Sequence, residues 1–269
     1  MVRRAEERPA HAGSGTALRR GPTVERARPE PCDGKLVAVV VPTYNEAENL
    51  PELARRLFSQ NIKNLILIVV DDNSPDGTAD VAHRLEQQFD GRVELILRDT
   101  KQGLGTAYVA GFTHALAEGA EYIVQMDADL SHPPESIPGL LHDLETADVV
   151  VGSRYVGEGG VDERWSLPRR LLSVSANLGI RVVSGVKVND ATSGFKGFRR
   201  EALSKVDFTR LRSKGFAFQA EMIHACQRRG YRIVEHPFRF ANRVRGSSKM
   251  SIYIAVEALW RLASLRWTK

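Results

Sequence analysis

Alternation of short apolar runs with helical segments is the feature that most constrains how this chain folds. The predicted strands are the Val-, Ile- and Leu-rich runs at residues 36–41, 65–70, 93–97, 121–126 and 148–153. The predicted helices lie between them, at residues 49–58, 77–89, 104–119 and 134–145, and Asn49 is the expected N-cap of the first. This alternation predicts a three-layer α/β fold, in which a mostly parallel sheet is covered by helices on both faces.

The pattern is less regular after Arg154. We predict helices over residues 167–185 and 213–230, an edge strand over 231–240, and a last helix from residue 251. The chain is therefore divided into an N-terminal extension (1–34), a catalytic domain (35–250) and an amphipathic C-terminal helix (251–269). The extension is rich in Arg, Pro, Ala and Gly and poor in large apolar residues, so it is predicted to be disordered.

Composition limits the cellular setting and the class of partner. A net charge of +5 suits an anionic partner such as a phosphate-rich substrate, an acidic lipid or a nucleic acid. The two cysteines, Cys32 and Cys226, are not expected to pair, because Cys32 falls in the extension; a reducing compartment is favoured. We see no secretory signal and no apolar run long enough to span a bilayer, so we expect a peripheral protein on the cytoplasmic face of a membrane.

Acidic residues follow three of the predicted strands. In parallel sheets, ligands bind beyond the carboxyl ends of the strands, where these side chains should meet. Five carboxylates on one rim repel each other unless a cation or hydrogen-bond donors compensate. The acidic residues are Glu46, Asp71, Asp72, Asp127 and Asp129.

The segment "DADLSHPP" (127–134) is the strongest candidate for a metal site. Asp127 and Asp129, two residues apart at a strand end, can hold Mg²⁺ or Mn²⁺ through oxygen, with substrate phosphates completing the shell. Ser131 follows the same periodicity and would add a hydroxyl or position a water. The alternative is that this segment only caps the next helix, through Ser131.

No glycine-rich phosphate cradle follows the first strand, and "GLGTAY" (103–108) fits the entry of a helix better than a dinucleotide site. Taken alone, the late "RVRGSSK" (243–249) is typical of a solvated basic loop.

From about Leu36 to about Ser251 the chain resembles the inverting family 2 glycosyltransferases of GT-A fold, and among them the dolichyl- or polyprenyl-phosphate mannose synthases. The resemblance is carried by seven blocks in order: "VVVPTYNEAENL", "VVDDNSPDGTAD", "GLGTAYVAGF", "MDADLSHPPE", "VGSRYVGEGGV", "TSGFKGFRR" and "RVRGSSK".

The resemblance implies a role for individual residues. The nucleotide base and ribose would be held by Pro42, Tyr44, Glu46, Val69 and Asp71. The diphosphate and its metal would be met by Asp127, Ala128 and Asp129, of which both aspartates, with Arg154, would be catalytic. Phosphate oxygens would be bound by Arg154, Arg243 and Lys249. Some relatives are expected to have an amide side chain in place of Ser131, which puts direct metal coordination by Ser131 in question.

The implied reaction is inverting transfer of mannose from GDP-mannose to a polyprenyl or dolichyl phosphate. A phosphate monoester has a second pKa of about 6, so at neutral pH it can attack the sugar without losing a proton. We therefore predict that no residue is an essential general base. Asp190 is the best candidate if one exists, with pairing to an arginine as its other reading, and His132 is expected to be structural.

A lipid acceptor requires contact with a membrane. The predicted C-terminal helix places Trp260 and Trp267 on one side and suits either the headgroup plane of a bilayer or packing on its own domain. Docking on a separate membrane-anchoring protein is also expected. The alternatives are glucosyl transfer from UDP-glucose, a processive polysaccharide synthase, a catalytically silent nucleotide-sugar-binding subunit and a basic nucleic-acid-binding protein. The last is disfavoured because acidic strand ends repel phosphates.

Overall fold

The computed structural model describes residues 34–162, 165–211, 213, 215 and 217–241, and its elements follow the predicted alternation. The strands are β1 (Val37–Thr43), β2 (Leu65–Asp71), β3 (Val93–Leu97), β4 (Tyr122–Gln125), β5 (Val149–Ser153), β6 (Gly160–Val161), β7 (Lys196–Arg199), β8 (Ile233–Pro237) and β9 (Arg239–Phe240). The α-helices are α1 (Leu50–Phe58), α2 (Thr78–Gln88), α3 (Leu104–Ala117), α4 (Ile137–Asp143), α5 (Leu167–Ser184), α6 (Arg200–Ser204) and α7 (Ala217–Arg228).

The large sheet has the strand order β3-β2-β1-β4-β7-β5-β8. All neighbouring pairs are parallel except those of β7, which runs antiparallel between β4 and β5. Because β2, β1 and β4 are adjacent and parallel, their carboxyl ends lie on one rim of the sheet. A small parallel pair, β6 with β9, stands apart from the large sheet.

Alternate residues of β1 supply two hydrophobic cores, one on each face of the sheet. Val39 and Val41 pack with α1, α2 and α4, whereas Val40 packs with α3 and α7 on the other face. The second face is tight at Gly111 of α3, since a Cβ there would lie 2.3 Å from Cγ1 of Val40. This arrangement confirms the three-layer, mostly parallel sheet.

Some local predictions were wrong. Strand β7 was not predicted, because four residues that include a glycine carry too little pattern. The predicted edge strand over 231–240 is divided at Phe238, and its two parts pair with β5 and β6. Asn49 occupies the N-cap position of α1 but does not cap it through its side chain, whose amide donates to Glu46 instead.

Helix α5 exposes a row of large apolar side chains. Within the described part of the chain, only Leu97 is a large apolar residue equally exposed outside this helix. The row consists of Leu167, Leu171, Leu172, Val174, Leu178 and Val182, each 50–73% exposed. No helix among the described residues has the length and apolar character needed to cross a membrane. The predicted extension, except residue 34, and the predicted C-terminal helix lie outside the described residues.

Candidate functional site

Two loops meet at the rim where β1 and β2 end. Asp71, the last residue of β2, accepts hydrogen bonds from the hydroxyls of Thr43 (2.8 Å) and Ser74 (2.6 Å) and from the Ser74 amide. The amide of Asn45 donates to the Ser74 hydroxyl, and that of Glu46 to the Thr78 hydroxyl. The loop after β2 thus fixes the backbone of the loop after β1.

The residues predicted to hold the base and ribose divide into two groups. Pro42, near the end of β1, and Tyr44 and Glu46, on the loop after it, are partly exposed. The Lys101 ammonium lies 3.5 Å from the centre of the Tyr44 ring. Asp71 is fully buried, so its contact with a ligand would be indirect, through the loop that it holds.

Val69 and Ala128 do not face the rim with their side chains. Both are buried members of the first hydrophobic core. A residue whose side chain is buried in the core can meet a ligand only through its backbone, so the structure does not support side-chain contacts for either.

The Asp127 carboxylate is partly exposed and accepts a hydrogen bond from a buried residue. Its Oδ1 accepts a hydrogen bond of 3.0 Å from the hydroxyl of Tyr108, a fully buried residue of α3. Burial, followed by the charge of Asp127, raises the pKa of Tyr108, so the phenol keeps its proton and remains a donor. The Asp127 side chain is 29% exposed, which leaves part of it open to a ligand.

His132 is structural, as expected. Its Nδ1 accepts the amide hydrogen of Asp127 at 3.1 Å, and its ring stacks on Phe195 at 5.3 Å between centroids. Phe238 and Phe240 pack against the same ring. Burial lowers the pKa of His132, and the opposing charge of Asp127 does not overcome this, so the ring is a neutral acceptor rather than a base poised for a substrate.

The orientation of the Asp129 carboxylate is set by hydrogen bonds from the residue two positions later. The amide and hydroxyl of Ser131 both donate to Oδ1 of Asp129, at 3.0 and 2.5 Å. Between Asp129 and Ser131 the backbone turns at Leu130, whose φ is +61°. This conformation is unfavourable for leucine, and the packing of the Leu130 side chain in the core holds it in place. Ser131 is fully buried and engaged with Asp129, so a role as direct metal ligand does not fit, and neither does the helix cap.

The five acidic residues do not act as one cluster. Asp72 is paired with Arg98 in a largely buried salt bridge, and Asp71 and Glu46 have the partners described above. Among the described residues no group of three His, Cys, Asp or Glu side chains is placed to hold a metal. Asp127 and Asp129, whose carboxylates are hydrogen-bonded by Tyr108 and Ser131, offer oxygen ligands of the type that a hard divalent ion prefers when its other ligands are water and substrate phosphate.

Arg154, just after β5, forms a two-pronged ion pair with Asp190. Nε and Nη2 donate to Oδ2 and Oδ1, both at 2.7 Å, and Nη2 also donates to the hydroxyl of Thr192. The Arg154 side chain is 10% exposed and that of Asp190 is fully buried. Nη1 makes no hydrogen bond within the described part of the chain.

The ion pair sets the charge state of both groups. Although burial opposes it, the charge of Arg154 lowers the pKa of Asp190. Burial alone would lower the pKa of Arg154, but the charge of Asp190 and, to a smaller extent, that of Asp127 raise it. A paired carboxylate with a lowered pKa is a poor general base, so of the two readings of Asp190 the structure supports pairing with an arginine.

Arg243 and Lys249, predicted to bind phosphate, lie outside the described residues. Sequence reasoning missed Tyr108 and Gly194, which both border Asp127: a Cβ on Gly194 would lie 3.3 Å from each carboxylate oxygen. The only local signal was a tyrosine on the apolar face of α3, since a buried phenol needs a partner for its hydroxyl.

Comparison with known proteins now identifies the family. Residues 38–207, more than half of the chain, match the sequence model described as "Glycosyl transferase family 2". The chain belongs to glycosyltransferase family 2. The basic nucleic-acid-binding alternative is therefore dropped, and the resemblance found in the sequence is confirmed.

Two curated relatives of this family 2 glycosyltransferase are similar over most of their length. It is 42% identical to an undecaprenyl-phosphate mannosyltransferase of Micrococcus luteus, over 86% of this chain and 96% of the relative. It is 41% identical to a polyprenol monophosphomannose synthase of Mycolicibacterium smegmatis, over 84% of each chain.

Solved structures show the fold. A mannosyltransferase of Pyrobaculum calidifontis, in complex with GDP-Man and Mn²⁺, is 21% identical with a TM-score of 0.56, and the match covers 83% of this chain and 61% of that one. Glucosyl-3-phosphoglycerate synthase of Mycobacterium tuberculosis, in complex with Mn²⁺ and UDP-glucose, is 17% identical with a TM-score of 0.60, over 88% and 79%. These neighbours confirm the GT-A fold.

Proposed function

We propose that this glycosyltransferase transfers mannose from GDP-mannose to a polyprenyl phosphate, with inversion at the sugar. The observation that carries the proposal is the identity of 42% and 41% to two relatives named for mannose transfer to such lipids, each over most of its length. The groups at the rim described above would serve this reaction.

The donor would lie along the carboxyl ends of β1, β2 and β4. Tyr44 and Glu46, on the loop fixed by Asp71, would meet the base and ribose. Asp127 and Asp129, at the end of β4, would meet the diphosphate. This order follows the rule that ligands of parallel sheets bind beyond the strand ends.

The diphosphate and the lipid phosphate are both anions and approach each other closely only if cations lie between them. Asp127 and Asp129 would hold Mg²⁺ or Mn²⁺, which supplies positive charge to the departing diphosphate when bound. Tyr108 and Ser131 fix the orientation of these carboxylates. Arg154, held rigidly by Asp190, would place its remaining nitrogen on a phosphate oxygen.

No general base is proposed. The lipid phosphate carries its own negative charge at neutral pH. The two residues that could remove a proton are otherwise engaged, His132 with the Asp127 amide and Asp190 with Arg154. Outside the described residues, Arg243 and Lys249 stay predicted phosphate ligands.

The lipid acceptor would reach the site along α5. The exposed apolar row of this helix faces away from the core, and α5 contains three arginines and no acidic residue. A cavity of about 180 Å³ lies between α5 and Asn189. Its other lining residues are Tyr155, Val174, Asn177, Leu178 and Arg181. Tyr155 and Asn189 are the sequence neighbours of Arg154 and Asp190, so this cavity would be the path of the acceptor from the apolar row to the proposed phosphate site.

We therefore propose that α5 lies in the headgroup region of the cytoplasmic face of a membrane, as a peripheral contact. The predicted C-terminal helix and a separate anchoring protein remain predictions, and either would add to this contact.

The double variant Leu171→Gln with Val182→Gln is expected to bind anionic phospholipid vesicles at least about tenfold more weakly, because each change removes about 1 kcal/mol of apolar burial. Cosedimentation with vesicles measures this. Leu97→Gln, which changes an exposed leucine on β3, is the control and should bind as the wild type does. Unchanged binding of the double variant would contradict the assignment of α5.

Incubation of the full chain with labelled GDP-mannose or UDP-glucose, a polyprenyl phosphate and Mg²⁺ or Mn²⁺ tests the function. Label in the organic phase from GDP-mannose alone is the expected result. Label from UDP-glucose alone would replace the proposal by the glucosyl alternative, since the fold accommodates either nucleotide: one structural neighbour was solved with GDP-Man and another with UDP-glucose.

A further inference from the structure

A fully buried lysine lies beneath the proposed donor site. Lys196 is the first residue of β7, directly opposite Gln125 of β4 and Val151 of β5. It is 0% exposed. Because β4 ends two residues before Asp127, Lys196 lies next to the strand end that carries the proposed metal ligands. A buried ammonium is energetically costly unless hydrogen bonds or opposite charges compensate for the loss of water.

The contacts of Lys196 form a small polar cluster, which we call the Lys196 cluster: Gln125, Ser193, Gly194, Lys196 and Gln219. The Lys196 ammonium donates to the Ser193 carbonyl and, at 2.5 Å, to Oε1 of Gln219. Gln125 donates to the same Gln219 oxygen at 2.7 Å and to the Gly194 carbonyl at 3.0 Å. Two side chains therefore grip two successive carbonyls of the loop before β7, and Gln219 of α7 ties these side chains together.

That loop forms one wall of the Asp127 site. A Cβ on Gly194 would lie 3.3 Å from both carboxylate oxygens of Asp127 and 3.1 Å from Cε1 of His132. The backbone of Gly194 thus lies against the carboxylate of Asp127. A shift of the 193–194 backbone would either crowd Asp127 or leave it loose.

Burial and two nearby carboxylates act in opposite directions on the protonation of Lys196. Burial lowers the pKa of Lys196 to about 7, although the charges of Asp190 and Asp127 favour the ammonium. The hydrogen bonds that Lys196 donates to the Ser193 carbonyl and to Gln219 are made inside the protein, where they are stronger than in water. Its role would be to hold the loop, since no route connects a fully buried side chain to a ligand.

We propose that Lys196 is a positioning residue, which acts through the Lys196 cluster to hold the Ser193–Gly194 backbone against Asp127 and so fixes the carboxylate that faces the donor diphosphate. This inference rests on the proposed function in one respect: it takes the Asp127 rim as the site of transfer. A displacement of about 1 Å at a reacting group is enough to cost about a hundredfold in rate.

Two variants test the inference, with a matched control. Lys196→Met removes the ammonium while keeping the length of the side chain, and Gln125→Leu removes the donor to Gly194. Both should lower kcat about 10- to 100-fold and leave KM for donor and acceptor within about threefold, because substrate contacts remain but their alignment is lost. Lys205→Met, the same change at an exposed lysine, should match the wild type in both constants.

The double variant Lys196→Met with Gln125→Leu should lose little more than either single variant, since the two side chains hold one loop. Additive losses of kcat would show that Lys196 and Gln125 act independently, and would overturn the proposal that the cluster acts as a unit. Thermal unfolding shows whether each variant is folded; a folded Lys196→Met protein with the kcat of the wild type would reduce the lysine to a structural role and overturn the inference.

Crystal structures of the wild type and Lys196→Met decide the point without an assay. The Gly194 backbone is expected to move relative to Asp127 in the variant, and an unchanged contact would overturn the inference. A wild type that transfers no mannose would refute the proposed function instead, and the structural comparison would still decide on Lys196.

Discussion

Replacing Asp129 by Asn is expected to reduce transfer of mannose to the lipid about a thousandfold, and chelation of metal by EDTA is expected to abolish it. Asn keeps the size of the side chain and can still accept from Ser131, so the change removes mainly the negative charge that would hold the cation. The cation would act on the departing diphosphate, and the loss of such stabilisation costs several kcal/mol in the barrier. Initial rates of lipid-linked product formation, with and without added Mn²⁺, measure the effect.

Asp90→Asn is the matched control. Asp90 is exposed in the turn between α2 and β3, at the edge of the sheet opposite the rim, and its φ of +53° is one that Asn tolerates well. This variant should keep the full rate. Wild-type activity in EDTA, or in Asp129→Asn, would show that the rim does not bind a functional metal.

Replacing Asp190 by Ala is expected to destabilise the protein by about 3–5 kcal/mol at pH 7, because it leaves the guanidinium of Arg154 buried without its partner. Urea unfolding followed by circular dichroism measures the change. As the pKa of Asp190 is lowered in the folded state, its contribution is fully present above the unfolded pKa of about 3.9 and is lost as the pH falls through the folded value. The difference between wild type and variant should therefore shrink in acid.

The control for this second prediction is Glu52→Ala, which breaks the exposed pair of Glu52 with Arg55 and should shift the unfolding midpoint little. A double variant separates stability from activity. Arg154→Met with Asp190→Leu removes both charges and should recover most of the lost stability. It should be inactive, since the proposed phosphate contact of Arg154 is gone. If this double variant transfers mannose at the wild-type rate, Arg154 is not a phosphate ligand.

Local patterns were enough to place the rim. Val-rich runs separated by amphipathic helices predicted five of the strands, because a strand buried on both faces must be apolar at every position. The positions of Asp127 and Asp129 followed directly, since they stand where the fourth run ends. The family resemblance rested on the same loops, and the match over residues 38–207 confirmed it.

Pairs of distant side chains could not be predicted in this way. Arg154 and Asp190 are 36 residues apart, and the sequence suggested an arginine partner for Asp190 without indicating which arginine it would be. The ion pair between Asp72 and Arg98 removed a carboxylate from the predicted acidic cluster in the same manner. Strand β7 was missed because pairing with two neighbours, rather than its own residues, makes it a strand.

The sequence by itself determined the layered fold, the rim that carries the proposed site and the carboxylates at the end of β4, because these depend on hydrophobic period and on the order of strands and helices along the chain. Only the tertiary structure decided which charged groups neutralise one another, that Tyr108 and Gly194 enclose Asp127, and that Lys196 is buried beneath it. Such contacts depend on the distance between side chains brought together by folding, and a burial cost that is met by a partner far along the chain leaves no local pattern.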